Sequence, residues 1–420
     1  MAAEAPLPLH VPGADVAVVG AGIVGLSCCH YLLQRGATCV LVDPQGPGTA
    51  TSFGNAGSIS VGNVMPQATP GIALRGLRML LDRNAPLKLD WRHLPGYWGW
   101  LLRFVHAGAR GGLPAIQDAL HALNHAARAH WLELAAAVGA SELLRESGYL
   151  HVYGSASGFR AAAAERRAMH ERKVRFEVLD RRHIEELEPA IGLRFRHGSF
   201  QPDALALTDP GGFCERLHRS LLERGLLSIR ASVQAVHRLA DGIRLDTSEG
   251  PVFAGQAVVA AGIWSDPLVR PLGARLPLVP ARGYHLMYPK GPDIVRRPTL
   301  WAERYMVVSP MAAGVRMTSI KELTVPDAPP RWNLIRRRDA DARTLYPALG
   351  KPVSEWAGLR PCTPDSLPVI DHVAERVVVA TGHGHLGMTQ GPVTGALVAQ
   401  LLAKEPTAIP LQPYRATRFL

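Results

Sequence analysis

Residues 15–27 read DVAVVGAGIVGLS, and the fold is decided there. Val16 to Val19 is an apolar, β-branched run of the buried-strand kind, and it breaks into Gly20-Ala21-Gly22-Ile23-Val24-Gly25. The first glycine permits a tight turn and the second lets backbone approach a pyrophosphate. The third lets the following helix lie close to the strand. That helix offers phosphate its first amides, those of Ile23 and Val24 among them, and the positive end of its dipole. A second strand is expected over 37–42, and Asp43 at its end can accept ribose hydroxyls. Strand, glycines, helix, strand and acid in this order predict a site for an ADP-containing dinucleotide. They do not separate NAD from FAD.

Working outward, 420 residues with 47% hydrophobic and 19% charged content describe a folded chain with room for two domains and exclude a disordered one. No apolar run approaches the ~20 residues of a membrane helix. The opening MAAEAPLPLHVP lacks the basic start and apolar core of a secretory signal and reads as a disordered lead-in. Cys28, Cys29, Cys39, Cys214 and Cys362 are odd in number and form no C-x-x-C pair. Buried reduced thiols in the cytoplasm are expected. The net charge of +11 is spread as ERR, RRH and RRR without interleaved aromatics, so no nucleic-acid partner is expected. Attraction to an anionic membrane surface and no special role are the two readings left.

The periodicity predicts a long amphipathic helix over 115–138, with Ile116, Leu120, Leu123, Ala127, Trp131 and Leu134 on one face. Its His121, His125 and His130 lack a Cys or acid to complete a metal site, and no metal is expected. Strands are expected over 147–154 and 174–179, then a short helix from Asp180 to Leu187. A helix capped by Asp209 runs to Gly225, followed by a strand over 227–237. A hairpin (242–248 and 252–254), a strand over 256–260, a β-rich region over 278–320 and a loop over 326–332 come next. The last block, 355–403, returns to α/β character and ends in a Gly- and Ala-rich helix. The Trp- and Tyr-rich segment 91–104 either packs inside the second domain or touches a membrane surface.

Three further stretches bear on the dinucleotide. Residues 51–57, TSFGNAG, form a polar glycine-rich loop of the kind that supplies donors to a flavin. Residues 258–265, VVAAGIWS, are an apolar strand ending in small residues that let backbone pass under a dinucleotide. GLRPCTPDSLPVI (358–370) precedes TGHGHLGM (381–388). Together these resemble the D-amino-acid oxidase superfamily of FAD-dependent oxidoreductases, from about residue 14 to the end. SFGNAGSIS, NAPLKLDW (84–91), GLRPCTPDSLPVI and TGHGHLGMT look like its D-amino-acid dehydrogenase branch. SFGNAG with LLDRNAPLKLDWRHLP (80–95) is most similar to the D-hydroxyproline dehydrogenases of bacteria.

The resemblance implies an α/β fold: a Rossmann-like FAD-binding domain of glutathione-reductase type with an inserted α+β substrate domain carrying a mixed or antiparallel sheet. The FAD domain would comprise residues 14–75, 191–275 and 355–420, and the substrate domain residues 76–190 and 276–354. Gly20, Gly22, Ile23, Val24, Gly25 and Asp43 would hold the ADP half. Thr51, Ser52, Asn55, Ala56 and Gly57 would line the flavin side. Val233 would meet the adenine, and Ala261 and Gly262 form a second dinucleotide signature. Gly384, His385, Leu386, Gly387 and Met388 would lie beside the pyrimidine edge of the flavin, with a helix opening near Thr389 aimed at it. Arg360 matches the arginine that grips the substrate carboxylate, a planar anion suited to a guanidinium fork. Tyr284, Tyr305 and His385 are further pocket candidates. The position at which some relatives tether FAD through a cysteine falls at Gly358, so non-covalent FAD is expected.

The implied reaction is hydride transfer from the Cα–H of a D-amino or cyclic D-imino acid to the flavin, cis-4-hydroxy-D-proline or D-proline being favoured. A broad D-amino-acid dehydrogenase is the alternative. Electrons would go to a respiratory quinone or another non-oxygen acceptor, in the cytoplasm or at the inner membrane face. An NAD(P)-dependent dehydrogenase and a flavin-fold module binding RNA or a protein partner are the competing classes.

Overall fold

The computed structural model describes residues 13–72, 74, 76, 85–109, 111–289 and 294–419. The opening dozen and part of the 71–91 stretch lie outside them. Strand Ala14–Val19 pairs in parallel with Cys39–Val42 on one side and Gly250–Val259 on the other. Leu227–Ile229 extends the sheet beyond Cys39–Val42, and Val377–Thr381 lies alongside the end of Gly250–Val259. Ala17, Val18, Val40, Val42, Ala257 and Val259 are buried. These strands are covered on both faces, which is why they read as unbroken apolar runs rather than alternating ones. The sequence expectation of one strand over 227–237 fails here. Leu227–Ile229 pairs with Cys39–Val42, whereas Val233–Arg238 pairs antiparallel with Ile243–Thr247 on the far side of the sheet. Conversely, the two strands expected over 252–260 are one, Gly250–Val259.

Helix Ile23–Gln34 leaves the glycine turn so close to its strand that a Cβ on Gly25 would lie 1.9 Å from the Gly20 carbonyl oxygen. The terminal helix, Gly387–Leu402, packs on it equally tightly, since a Cβ on Gly395 would meet the Ser27 backbone at 2.5 Å. Helix Leu113–Ala137 buries Leu120, Leu123, Ala127, Trp131 and Leu134, as the periodicity predicts. Its His130 Nδ1 lies 2.9 Å from the Tyr31 hydroxyl. Asp180 and Asp209 cap their helices through the amides of His183 and Gly212. Pro392, inside the terminal helix, has no N–H for the Met388 carbonyl four residues back. The indole N–H of Trp131 donates to that carbonyl instead, at 2.9 Å.

Among the described residues nine strands form the second sheet, in the order Ser354–Cys362, Val279–Tyr288, Gly314–Leu323, Met306–Met311, Thr299–Trp301, Tyr149–Tyr153, His197–Gln201 and Glu177–Asp180, with Leu87–Leu89 beside Gly314–Leu323. Most pairs are antiparallel, the exceptions being Thr299–Trp301 beside Tyr149–Tyr153 and Leu87–Leu89 beside Gly314–Leu323, which are parallel. His197–Gln201 and Ser354–Cys362 were expected in the FAD domain, but their ladders place them in this sheet. Helix Leu94–Ala109 splits the Trp-rich segment by face. Tyr97 and Trp100 pack against Leu89, Val279, Ala281 and Leu323, while Trp91, Trp98 and Leu102 are exposed. No helix among the described residues is long and apolar enough to cross a membrane. All five cysteines are buried and free.

Candidate functional site

A cleft of about 1890 Å³ runs between the two sheets. At one end it is lined by Gly20, Gly22, Ile23, Val24, Asp43, Val233, Ala261 and Gly262. Gly20 has φ +105°, which closes the turn. Among the described residues, chain neighbours aside, a Cβ built on Gly22 would have only Ser52 Oγ within 4 Å, at 3.4 Å, and one on Gly262 would have nothing. Backbone is therefore open to a ligand at both signatures. Asp43 accepts from the amides of Ala21 (2.8 Å), Gln45 (2.8 Å) and Gly46 (2.9 Å). An ionised carboxylate offers about four acceptor sites, so capacity for a ribose hydroxyl remains. Gly25 does not line the cleft but sets helix–strand packing. Gly57 does not line it either: its φ of +72° and its approach to the Leu207 carbonyl fix the loop against strand Leu205–Leu207.

The loop 51–57 is pinned from both sides. Ser52 Oγ accepts the Ile23 amide at 3.1 Å, and Thr51 Oγ1 donates to the Leu359 carbonyl at 2.6 Å. Asn55 Oδ1 accepts from Gly57, and Ala56 lines the cleft. From the second sheet, buried Arg316 donates to the carbonyls of Phe53 (2.8 Å) and Asn55 (2.7 Å). Trp356 lies over Gly54 and Gly358, where a Cβ would meet its ring at 1.8 and 2.1 Å. The ring stacks on His285 at 5.2 Å, and burial together with the Arg316 charge pushes that imidazole down to about 3. Arg316, Trp356 and His285 have no local signature, and sequence reasoning missed them.

Beyond the loop, Gly384 (φ +55°) opens a single turn that leads into the terminal helix at Gly387, two residues before the expected start. Leu386, Gly387, Met388 and Thr389 line the cleft. Thr389 Oγ1 accepts the Ser60 amide at 3.1 Å. His383 is held by Thr394 at 3.0 Å and is buried.

Arg360 lies at the heart of the cleft. Its guanidinium covers Gly283 on the adjacent strand, where a Cβ would stand 2.1 Å from Cζ. It donates to the Ile320 carbonyl at 3.3 Å, and among the described residues it forms no ion pair with a carboxylate. Beside it Lys321 donates to Gln67 Oε1, and Gln67 Nε2 is 2.8 Å from His385 Nδ1. Because the Gln67 oxygen is taken, its amide donates to Nδ1. The His385 proton is then on Nε2, and the Asn63 side-chain amide 3.3 Å away accepts it once its oxygen, not its NH2, is turned toward the ring. His385 opens onto the cleft, yet it lies deep enough that burial, with Lys321 and Arg360, pushes it down to about 3. Lys321, Gln67 and Asn63 were also missed, since only the fold gathers them.

The two tyrosines separate. Tyr305, with φ +46° and 62% of its surface exposed, stands at the cleft wall. Tyr284 does not reach the cleft. A strand alternates its faces, and Gly283 already faces Arg360. The Tyr284 hydroxyl is spent on Glu322 and on the Arg331 amide at 2.9 Å.

The chain belongs to the FAD dependent oxidoreductase family, whose model matches residues 15–401. It is 32% identical over 420 residues to a D-amino-acid oxidase of Bradyrhizobium diazoefficiens, covering 97% of this chain and 99% of that protein. It is 33% identical to a D-amino acid dehydrogenase of Paramagnetospirillum magneticum, covering 96% and 98%. The fold is shared with the L-proline dehydrogenase of P. horikoshii (TM-score 0.75, 18% identity, 98% of each chain). It is shared too with the glycine oxidase of Bacillus cereus (TM-score 0.71, 19% identity, 94% of this chain and 96% of that one). FAD is the cofactor, and the NAD(P) alternative falls. The chain's own residues fit it: bare backbone at Gly22 and Gly262, residual capacity on Asp43, and two helix starts facing one cleft.

Proposed function

We propose that this protein oxidises the Cα–N bond of a D-amino or cyclic D-imino acid, with cis-4-hydroxy-D-proline and D-proline as the favoured substrates. The observation that carries the reading is Arg360, a guanidinium in the cleft with no carboxylate partner among the described residues. A buried cation without a counter-ion is costly unless a ligand completes it. A substrate carboxylate does so bidentately and fixes the orientation of Cα. FAD, when bound, supplies the hydride-accepting chemistry. The protein's part is to hold the carboxylate at Arg360, to wall off water with Trp356 and Trp100, and to steady His385 through Gln67 and Asn63. The full-length likeness to D-amino-acid oxidase and dehydrogenase supports the D-configured substrate. FAD is held without a covalent bond, since the tether position is Gly358, covered by the Trp356 ring.

The electron acceptor we propose is a membrane quinone rather than oxygen. Support comes from the exposed ridge of Trp91, Trp98, Leu102 and Val105, flanked by exposed Arg92 and Arg103 at the cleft mouth. The deciding experiment is an anaerobic screen of D- and L-amino acids and prolines for bleaching of the flavin. D-Proline or cis-4-hydroxy-D-proline should bleach it fastest. Uniform rates across D-amino acids would favour the broad dehydrogenase instead. Arg360→Met should keep the yellow colour and lose substrate affinity by about 100-fold or more. Loss of FAD in that variant would make Arg360 structural.

A further inference from the structure

Lys321 reaches the cleft through a break in the strand that carries it. Thr318 faces the cleft, and strict alternation along Gly314–Leu323 would turn Glu322 the same way. Ser319 pairs with Tyr284 and Glu322 with Arg282, so Ile320 and Lys321 together stand opposite Gly283. This is a β-bulge, and its extra residue reverses the parity. Ile320 takes φ +67°, a conformation that a β-branched residue adopts only when its surroundings impose it. The effect is an exchange of charge. Glu322 goes to the far face, where Tyr284, Arg282 and Arg331 hold it, and Lys321 turns into the cleft beside Arg360.

The charged and titratable groups around the Lys321 amine are Arg360 and Cys362 from strand Ser354–Cys362 and His385 from the turn before the terminal helix. Segment 58–69 presents Gln67, and helix Leu94–Ala109 presents the Phe104 ring, 5.9 Å away. Among the described residues no carboxylate pairs with Lys321 or Arg360. Two neighbouring cations without a counter-ion cost more than either alone. The guanidinium does not give up its proton in a protein, so the lysine yields. Burial, opposed by Cys362 and aided by the Arg360 charge, holds its amine below the usual lysine range. A carboxylate arriving on Arg360 relieves that pressure and raises the proton affinity of Lys321 just as a substrate ammonium enters.

We infer that Lys321 is the proton acceptor for the substrate's amino group, taking a proton from the ammonium as Arg360 takes the carboxylate. The inference rests on the amine-oxidising reading. Atoms and charge balance: the ammonium and the neutral lysine become a neutral amine and a lysine ammonium, with no electrons moved. Oxidation needs that neutral amine, whose lone pair forms the C=N bond as Cα gives up its hydride. Lys321 returns the proton to solvent after the product leaves. Gln67, bonded to both Lys321 and His385, keeps the lysine amine turned toward the cleft.

The test uses the FAD-loaded wild-type protein and an amine-free carboxylate, pyrrole-2-carboxylate. Calorimetric titrations in buffers of different ionisation enthalpy count the protons taken up on binding. Proton uptake on binding is expected at a pH below the ordinary lysine range, and none in Lys321→Met. In turnover, Lys321→Met should lose about 100-fold in kcat/KM near neutral pH. Most of that loss should disappear in alkali, where the substrate amine is already neutral, and Lys321→Arg should not rescue it. Carboxylate binding without proton uptake by the wild type overturns the inference. So does an equal loss at every pH that Lys321→Arg repairs, which would make Lys321 a second carboxylate-binding cation. Flavin bleaching by a D-amino acid in the same preparation reports on the amine-oxidising reading separately. Bleaching without carboxylate-linked proton uptake sinks the lysine assignment alone.

Discussion

Replacing Trp131 by Phe should destabilise the protein by an amount that depends on residue 392. In the native chain the Met388 carbonyl belongs to a residue only 2% exposed and lacks a helical donor because Pro392 follows four residues on. The Trp131 indole at 2.9 Å is its replacement. Removing that donor leaves a buried carbonyl unpaired, at a cost of about 1–3 kcal/mol. The smaller phenyl ring adds about 1 kcal/mol for lost packing. In a Pro392→Ala background the helix regains its own N–H, and the first contribution should vanish. The cycle therefore predicts a coupling of about 1–3 kcal/mol between two residues on different helices. Guanidinium unfolding of the FAD-loaded single and double variants, followed by circular dichroism, measures it. If Trp131→Phe costs the same in both backgrounds to within about 0.5 kcal/mol, the replacement-donor account is wrong.

Two further outcomes can be checked more simply. Gly358→Ala would put a methyl group 2.1 Å from Trp356 Cη2, in a ring already pressed on Gly54 and stacked on His285. Overpacking of this kind costs about 1–3 kcal/mol, so a lower melting temperature and faster FAD release are expected, and an unchanged melting curve would contradict the packing argument. His285 and His383 are held at about 3 by burial, against the ordinary 6.5. The unfolded chain therefore binds more protons, so stability is complete above the ordinary value and is lost as pH falls toward the folded one, by up to about 1.4 kcal/mol per pH unit for each ring. Unfolding between about pH 7 and 4 should show that slope and His383→Gln should flatten it, whereas pH-independent stability in the wild type would be a clear failure.

What could be read from the chain alone was what is local. The glycine turn, Asp43, and the caps at Asp180 and Asp209 depend on neighbours a few residues away or on one βαβ unit. Arg360 was legible through its motif. The rest of the site is made by register. Whether Tyr284 or Gly283 faces the cleft depends on one step along a strand, and Lys321 faces it only because a bulge at Ile320 adds a residue. Gln67 and Asn63 matter because a loop lays them against His385, more than three hundred positions later in the sequence. The strand expected over 227–237 failed for the same reason. Its two halves have similar composition but find partners at opposite sides of the sheet.

The tight contact of Gly395 with the Ser27 backbone has a consequence for how the protein is made. The helix Ile23–Gln34 leaves the ribosome more than three hundred and fifty residues before the helix Gly387–Leu402. The dinucleotide cleft needs both helix starts, and the strand Val377–Thr381 beside Gly250–Val259 is also late. FAD therefore has no complete site until both segments have been made. Until then the early parallel strands lack a neighbour and the helix Ile23–Gln34 lacks its cover, which exposes apolar surface to wrong partners. Yield of this protein should respond to chaperones and to flavin supply more than to the speed of translation.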